Sequence, residues 1–378
     1  MNEKQTDNSR IRTILVIIVF IVVIGGFFIM SRIITPPDIS QSERRPLAKL
    51  PVLTSESFVS AKYMADFETW AADSFALRES LRTVRAKTVF RVFRLSDKDG
   101  LYIGDSGAGK IDKIREDSWR RSCQKICLLA ERIKSENIYV ALIPDKSIYA
   151  GKWMPGFDLD LANSILEEEM SGYHRIDLAS VIKSEDFYQT DLHMSQTSLS
   201  GIMDALGAEM NFKPLTWSYV ESIGDFFGVY TGQLALPMPP DTMTYVRQME
   251  PYVDVKYLDP SDGQMKGGPL YDTEAFSGVD PYSFFLSGPQ PLIVLELYGA
   301  PDNPFKSDNG RELILFRDSF GSSIAPLFIG AYQKITMIDL RYIDSRLLDE
   351  YVDVSADADV LFLYSSQILN NPDVLLIR

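Results

Sequence analysis

Two stretches of this 378-residue chain hold side chains whose types and spacing suit nucleophilic chemistry. The first is Leu313-Ile314-Leu315-Phe316-Arg317-Asp318-Ser319-Phe320-Gly321, an apolar run that ends in Asp-Ser and passes at once into helix-permissive residues. It reads as a buried parallel strand, which puts Ser319 at the carboxyl end, where α/β folds bind their ligands. The N–H groups of a helix beginning there could stabilise a developing oxyanion. A serine in that place could equally N-cap the helix, and this stretch alone does not choose. The second is Phe187-Tyr188-Gln189-Thr190-Asp191-Leu192-His193-Met194-Ser195. Here a carboxylate two residues before an imidazole can fix its tautomer while the other ring nitrogen meets a serine hydroxyl. The pair favours Ser319 as a nucleophile; the alternative is that Asp191 caps, and His193 begins, the helix expected from Ser195. The chain holds two histidines, so any imidazole chemistry falls to one of them. His174, within Gly172-Tyr173-His174-Arg175, lacks a comparable setting and reads as a surface or strand-edge residue.

A third stretch, Gly104-Asp105-Ser106-Gly107-Ala108-Gly109-Lys110, nearly fits a phosphate-cradling loop. That motif needs Ser or Thr next, to hold Mg²⁺, and Ile111 stands there, so a Gly-rich hairpin turn is the better account. Two cysteines and two histidines make cysteine-rich or multi-histidine metal sites improbable, and neither metal nor cofactor is expected. Cys123 and Cys127, one helical turn apart, read as small core residues, the alternative being a strained helical disulfide in an oxidising compartment.

The elements that must position these groups are legible as apolar patterns. Helical periodicity covers Glu56–Phe93 and Lys113–Glu136, the latter with an apolar stripe of Trp119, Cys123, Ile126, Ala130 and Ile133. Buried strands are expected at Ile138–Pro144, Leu292–Leu297, Leu313–Phe316, Ile335–Ile338 and Val360–Tyr364, with helices at Ser195–Met210 and Ser345–Val352. Such alternation indicates an α/β fold whose mostly parallel sheet is covered on both faces. Residues 211–288, richer in Pro, Gly and Tyr, read as an irregular or β-rich insertion.

Thr13 to Met30 is an uncharged run that spans roughly 27 Å at ~1.5 Å per residue, enough to cross a bilayer core. It exits through Ser31-Arg32-Ile33-Ile34 rather than a small-residue cleavage site, so an uncleaved anchor is expected. Basic residues on both flanks leave the orientation signal ambiguous. The size asymmetry favours a short cytoplasmic tail (1–12), an anchor (13–30), a Pro-rich solvated stalk (31–52) and an exported domain (53–378). A net charge of −14 argues against nucleic acid and favours a neutral or cationic partner.

The Asp-x-His element followed much later by strand–Asp-Ser–helix resembles the DHHW family of bacterial surface proteins. These are relatives of the SGNH-hydrolase-like proteins of alginate O-acetylation. Asp73-Ser74-Phe75-Ala76-Leu77-Arg78 resembles the family's early Asp-x-Phe-Pro-x-Arg element, and Tyr188 to His193 its Tyr-x-Thr-Asp-His-His stretch. Asp339-Leu340-Arg341-Tyr342 resembles its downstream Asp-x-Arg-Tyr. The likeness runs from about residue 55 to the end. It implies an SGNH-hydrolase-like (flavodoxin-like) three-layer α/β/α domain in which Asp-x-His precedes the serine, a circularly permuted motif order. It implies Ser319 as nucleophile, His193 as general base and Asp191 as its orienting carboxylate. Arg317, Phe320, Tyr188 and Arg341 fall where oxyanion or substrate contacts are expected, the N–H groups of Ser319 and Phe320 serving as oxyanion donors. Leu192 and Met194 replace a His and a Trp of the family motif, and Met194 is expected to reshape the acceptor groove. Pro289, near a position where an Asn is expected, cannot donate an N–H.

The activity implied is that of a membrane-anchored, extracellular O-acetyltransferase acting on a cell-surface polysaccharide. Acetyl would arrive from a membrane-embedded acyltransferase partner, and the acidic domain favours a neutral or amino-sugar acceptor. The alternatives are an acetylesterase with the same triad and a non-catalytic glycan-binding or scaffold protein of a secretion complex.

Overall fold

The computed structural model describes residues 3–34, 36–151, 154, 156–247, 252–298 and 310–378. They form two compact units, residues 1–95 with 232–236, and residues 96–231 with 237–378.

The first unit is helical. α1 (Glu3–Ile33) contains the apolar run, and Arg12–Ser31 is long and apolar enough to cross a membrane with none of it buried. α2 (Lys62–Asp73) and α3 (Arg78–Lys87) meet at a tight turn where Leu77 takes φ 60°. Within the stretch 31–52, expected as a solvated stalk, Ser42, Glu43, Arg45 and Ala48 are tied to these helices. The Asp73 carboxylate, almost fully buried, accepts two bonds from the Arg45 guanidinium (2.8 and 2.6 Å) and one from Ala48 N–H (2.9 Å). Those hydrogen bonds, chiefly from Arg45, lower the Asp73 carboxyl to about 2.

The second unit is mixed α/β. A hairpin, β1 (Leu101–Gly104) and β2 (Gly107–Lys110), stands in the place of the near-phosphate loop. There follow α4 (Glu116–Ala130), β3 (Asn137–Ile143), α5 (Leu159–Glu169), β4 (His174–Ile176) and α6 (Ser200–Glu209). β5 (Val220–Phe226) pairs with β6 (Asp241–Val246) in a sheet of their own. Next come β7 (Val253–Asp259), β8 (Gln264–Gly267), β9 (Leu292–Leu297), β10 (Glu312–Arg317), a single turn α7 (Gly321–Ile324), β11 (Lys334–Ile338) and β12 (Asp359–Ser365).

The large sheet has the order β8-β7-β9-β11-β10-β12-β3-β4. Five neighbouring strands, β11-β10-β12-β3-β4, are parallel. β9, read as one of the parallel strands, runs antiparallel to β11, and β7 and β8 extend that antiparallel edge. Both ends of the expected insertion region therefore behave differently: β5 and β6 stand apart, whereas β7 and β8 join the sheet. His174 is exposed on the edge strand β4, as the sequence indicates.

Alternation along β10 explains why Leu313–Phe316 is an unbroken apolar run. Leu313 and Leu315 enter one core with Ile202, Met203 and Leu206 of α6. Ile314 and Phe316 enter the other, with Trp119 and Ile126 of α4 and Ile165 of α5, and the Phe316 ring stacks on Phe362 of β12 at 4.6 Å. Cys123 is buried in that second core and both cysteines are free thiols.

Candidate active site

At the carboxyl end of β10 the chain turns sharply on Asp318. One carboxylate oxygen accepts Phe320 N–H (3.0 Å) and the other accepts Ser365 N–H from the end of β12 (2.8 Å). Asp318 thus joins two parallel strand ends and takes the capping role that the sequence left open for Ser319. α7 is one turn long and passes into a 3₁₀ turn at Ala325–Phe328, so its macrodipole is far smaller than a full helix would supply. Ser319 keeps its side chain for another partner and is half-buried among buried neighbours.

That partner is His193. Its Nε2 lies 2.8 Å from Ser319 Oγ, and its Nδ1 lies 2.6 Å from Asp191 Oδ1. An ionised carboxylate only accepts, so the proton of the neutral ring sits on Nδ1 and Nε2 accepts from the serine hydroxyl. Asp191 is fully buried, and its charge is met by further donors: His193 N–H to Oδ1 (3.1 Å) and Val229 N–H to Oδ2 (2.8 Å). Neither residue begins or caps α6, which starts at Ser200.

The imidazole is clamped by aromatic rings. Tyr282 stacks on it at 3.7 Å between centroids and 7° between planes, and Phe320 lies against it at 4.8 Å and 53°. The Tyr282 hydroxyl donates to Ser323 Oγ (2.9 Å), so the ring that stacks on His193 is fastened to the turn that follows Ser319. Gln196 makes a second tie, its Nε2 donating to Ser323 O (2.8 Å) while its Oε1 accepts Val246 N–H (2.8 Å).

The Asp-x-His segment is a tight loop closed by Tyr188 N–H to His193 O (3.0 Å) and held from three sides. Asp241, at the start of β6, accepts Gln189 N–H (2.7 Å), Thr190 N–H (2.8 Å) and the Thr190 hydroxyl (2.6 Å). The buried Lys146 ammonium donates to the carbonyls of Ala108 (2.7 Å), Tyr188 (2.6 Å) and Asp191 (3.1 Å). Burial lowers the Lys146 pKa to about 8, because the charged form is the one that loses hydration. The β1–β2 hairpin closes the third side, with Ala108 N–H donating to Gln189 O (2.7 Å). Gly107, at φ 86°, permits that approach, since a Cβ there would stand 2.3 Å from Gln189 O.

Of the seven residues singled out in the sequence, the structure brings together Ser319, His193, Asp191 and Phe320. Phe320 contributes its ring; its N–H, expected to meet an oxyanion, is taken by Asp318. Ser319 N–H has no acceptor among the described residues. Tyr188 and Arg317, expected at the substrate, are instead buried. The Tyr188 ring packs edge-on against Phe226 at 4.8 Å. The Arg317 guanidinium points under α7, where Nη1 donates to Ser322 Oγ (3.1 Å) and lies 3.7 Å from Asp339 Oδ2. Arg341 is held by Asp339 in a two-bond pair (2.8 and 2.6 Å), and no hydrogen bond or ion pair joins it to Ser319 or His193 among the described residues. Met194, expected in the acceptor groove, is a core residue with 1% exposure, because the loop turns it inward next to His193. Tyr282, Gln196, Lys146 and Asp241 escape the sequence reading. They lie far along the chain from the motifs, and their types are common in ordinary cores and turns.

The architecture recurs in solved structures. A DHHW family protein from Eubacterium siraeum matches 74% of this chain and 94% of its own at 17% identity, with a TM-score of 0.60. Bacillus cereus PatB1 matches 71% of this chain and 96% of its own at 16% identity, with a TM-score of 0.54. PatB1 is also known with a sulfonyl adduct, and that structure matches equally well. The O-acetyltransferase domain of Pseudomonas putida AlgJ is matched at a TM-score of 0.39 and 12% identity over 72% of this chain and 92% of its own. No protein-family model matches the chain, and neither does any curated protein sequence. At such identities the likeness to the DHHW family protein and PatB1 is one of fold.

Proposed function

We propose that this protein is a serine O-acyltransferase that moves acetyl through an ester on Ser319 to a hydroxyl of a polysaccharide. The observation that carries the reading is the unbroken chain Ser319 Oγ–His193 Nε2 and His193 Nδ1–Asp191 Oδ1, at 2.8 and 2.6 Å. Ser319 Oγ attacks the acetyl donor's carbonyl while its proton passes to Nε2, which then protonates the departing group. A sugar hydroxyl next gives its proton to Nε2 and attacks the serine ester; the same proton returns to Oγ as the ester breaks. Ser319 N–H is the donor toward the oxyanion in both steps.

In this reading the fold is an SGNH-like three-layer α/β/α domain with permuted motif order. Residues 13–30 anchor it in the cell membrane, with the catalytic unit outside and acetyl supplied by a membrane-bound acyltransferase. The sulfonyl adduct of PatB1, a relative in fold, suggests the probe. Full-length protein in detergent, wild type and Ser319→Ala, is treated with a sulfonyl fluoride, and separately with an activated acetyl ester and neutral oligosaccharides. Mass spectrometry is expected to find a sulfonyl mark on Ser319 and serine-dependent acetylated sugar. Equal labelling and turnover by both proteins would remove Ser319 as the nucleophile; acetate release without acetylated sugar would replace transfer by ester hydrolysis.

A further inference from the structure

We infer that the segment Arg78–Leu95 lies flat on the anionic surface of the membrane crossed by α1, as a second, peripheral membrane contact. The inference rests on reading α1 as a membrane span.

Position supplies the first argument. The Phe27 ring, one turn inside the end of Arg12–Ser31, stacks on Phe75 at 5.2 Å. Ala76 N–H donates to Ser31 Oγ (2.9 Å). The turn that begins α3 is therefore held against the last turn of the span, at the depth where headgroups lie.

The second argument is the surface that α3 and its continuation present. The helix runs on from Lys87 as a π-helical turn, Thr88–Val92. Leu81, Val84, Thr88 and Val92, spaced three, four and four apart, fall on one side. Val84, Val92 and Phe93 are 59%, 69% and 66% exposed, and Leu81 and Leu95 are exposed as well. A soluble surface does not gather large apolar side chains along one stripe without a partner for them.

Charge identifies the partner. Arg78–Leu95 carries six basic residues and one acidic residue, Glu79, in a chain of net charge −14. Glu43 and Glu79 engage Arg78 and Arg82. Arg85, Lys87, Arg91 and Arg94 stand exposed beside the apolar stripe. An apolar stripe flanked by exposed cations is the composition of a helix that sinks its apolar side to the headgroup–acyl boundary and sets its charges on lipid phosphates.

The test uses the full chain in lipid nanodiscs, with a nitroxide on Phe93→Cys or on Ile18→Cys, each in a Cys127→Ser background. Accessibility to oxygen and to a water-soluble nickel chelate reports depth. In phosphatidylglycerol discs the Phe93 label is expected about 5–10 Å below the headgroup boundary, with nickel accessibility several-fold lower than in detergent. It should return to water in phosphatidylcholine, and in the Lys87→Glu/Arg91→Glu/Arg94→Glu variant. A Phe93 label in water while the Ile18 label is at mid-bilayer overturns the surface contact and leaves the anchor standing. An Ile18 label in water overturns the anchor and this inference with it. Equal depth in both lipids removes the anionic preference. Dipolar broadening between Phe93 labels would assign the face to a second copy instead.

Discussion

His193 keeps its orientation through two kinds of contact, a carboxylate at one nitrogen and a ring on its face, and the second can be removed without touching the proton path. Stacked aromatic pairs contribute about 0.5–1.5 kcal/mol beyond their buried area, too little to decide whether the chain folds but enough to decide which way an imidazole points. Tyr282→Ala is expected to lower kcat by about ten- to a hundredfold with KM little changed, since a reacting group displaced by about 1 Å can lose two orders of magnitude. Tyr282→Phe keeps the ring and loses the Ser323 bond, so it should stay within about threefold of wild type, a neutral hydrogen bond contributing about 1 kcal/mol. Steady-state rates with an acetyl ester, beside circular dichroism to confirm folding, separate the two. A Tyr282→Ala protein at wild-type rate would show that Asp191 alone orients the base. Ser319, His193 and Asp191, which the structure brings within hydrogen-bond distance of one another, were readable from type and spacing, because few residue types suit nucleophilic chemistry. Tyr282 was not, because Asp280-Pro281-Tyr282 looks like any capped 3₁₀ turn.

At the scale of elements, the loop carrying Asp191 and His193 is set by β1–β2, by Asp241 of β6 and by Lys146, which follows β3. The hairpin itself was legible, since its glycines and the missing Ser/Thr argued against a phosphate loop. Its purpose was not, because glycine content does not say which backbone approaches. Strand positions were legible from buried apolar runs, and strand directions were not: β9 carries an apolar run, Leu292–Leu295, like the Leu313–Phe316 run of β10, yet runs the other way. Lys146 shows what such positioning demands. The unfolded chain holds this proton up to about pH 10.5, the native protein only up to about 8, and the cause is burial. Between those values the unfolded state binds more protons, so this group's contribution to stability rises with pH; below about 8 the full penalty of burying the charge is present. Against Lys146→Met, which cannot ionise, wild type should therefore gain stability from pH 7 to 10, by up to about 3 kcal/mol. Urea unfolding in detergent at several pH values measures the difference, and a gap that stays flat across that range would mean the ammonium is hydrated in the native protein.

Across the whole molecule, charge is partitioned. Residues 1–95 carry 14 basic and 9 acidic side chains, leaving 24 and 43 for residues 96–378, so the two parts stand at +5 and −19. The part that holds Ser319 is thus far more acidic than the chain's total of −14 suggests, and its field should repel a polyanionic acceptor before any groove contact forms. A polyuronate bears about one negative charge per sugar, whereas a glucan bears none and a deacetylated amino-sugar polymer is cationic. At about 10 mM salt the Debye length is roughly 30 Å, comparable with the domain, and by about 0.5 M it has shrunk to a few ångströms. Acetyl transfer by full-length protein should then show kcat/KM for neutral or amino-sugar oligomers at least about tenfold above that for oligouronates at low salt. Repulsion acts mainly on encounter, so the gap should narrow steeply as salt rises, with kcat changing little. Oligouronates preferred at low salt would require a basic groove strong enough to overcome the −19 background, and would reverse the assignment of the acceptor while leaving the serine chemistry intact. A preference for neutral sugars that does not respond to salt would place selectivity in the shape and hydrogen bonding of the groove rather than in the field of the molecule.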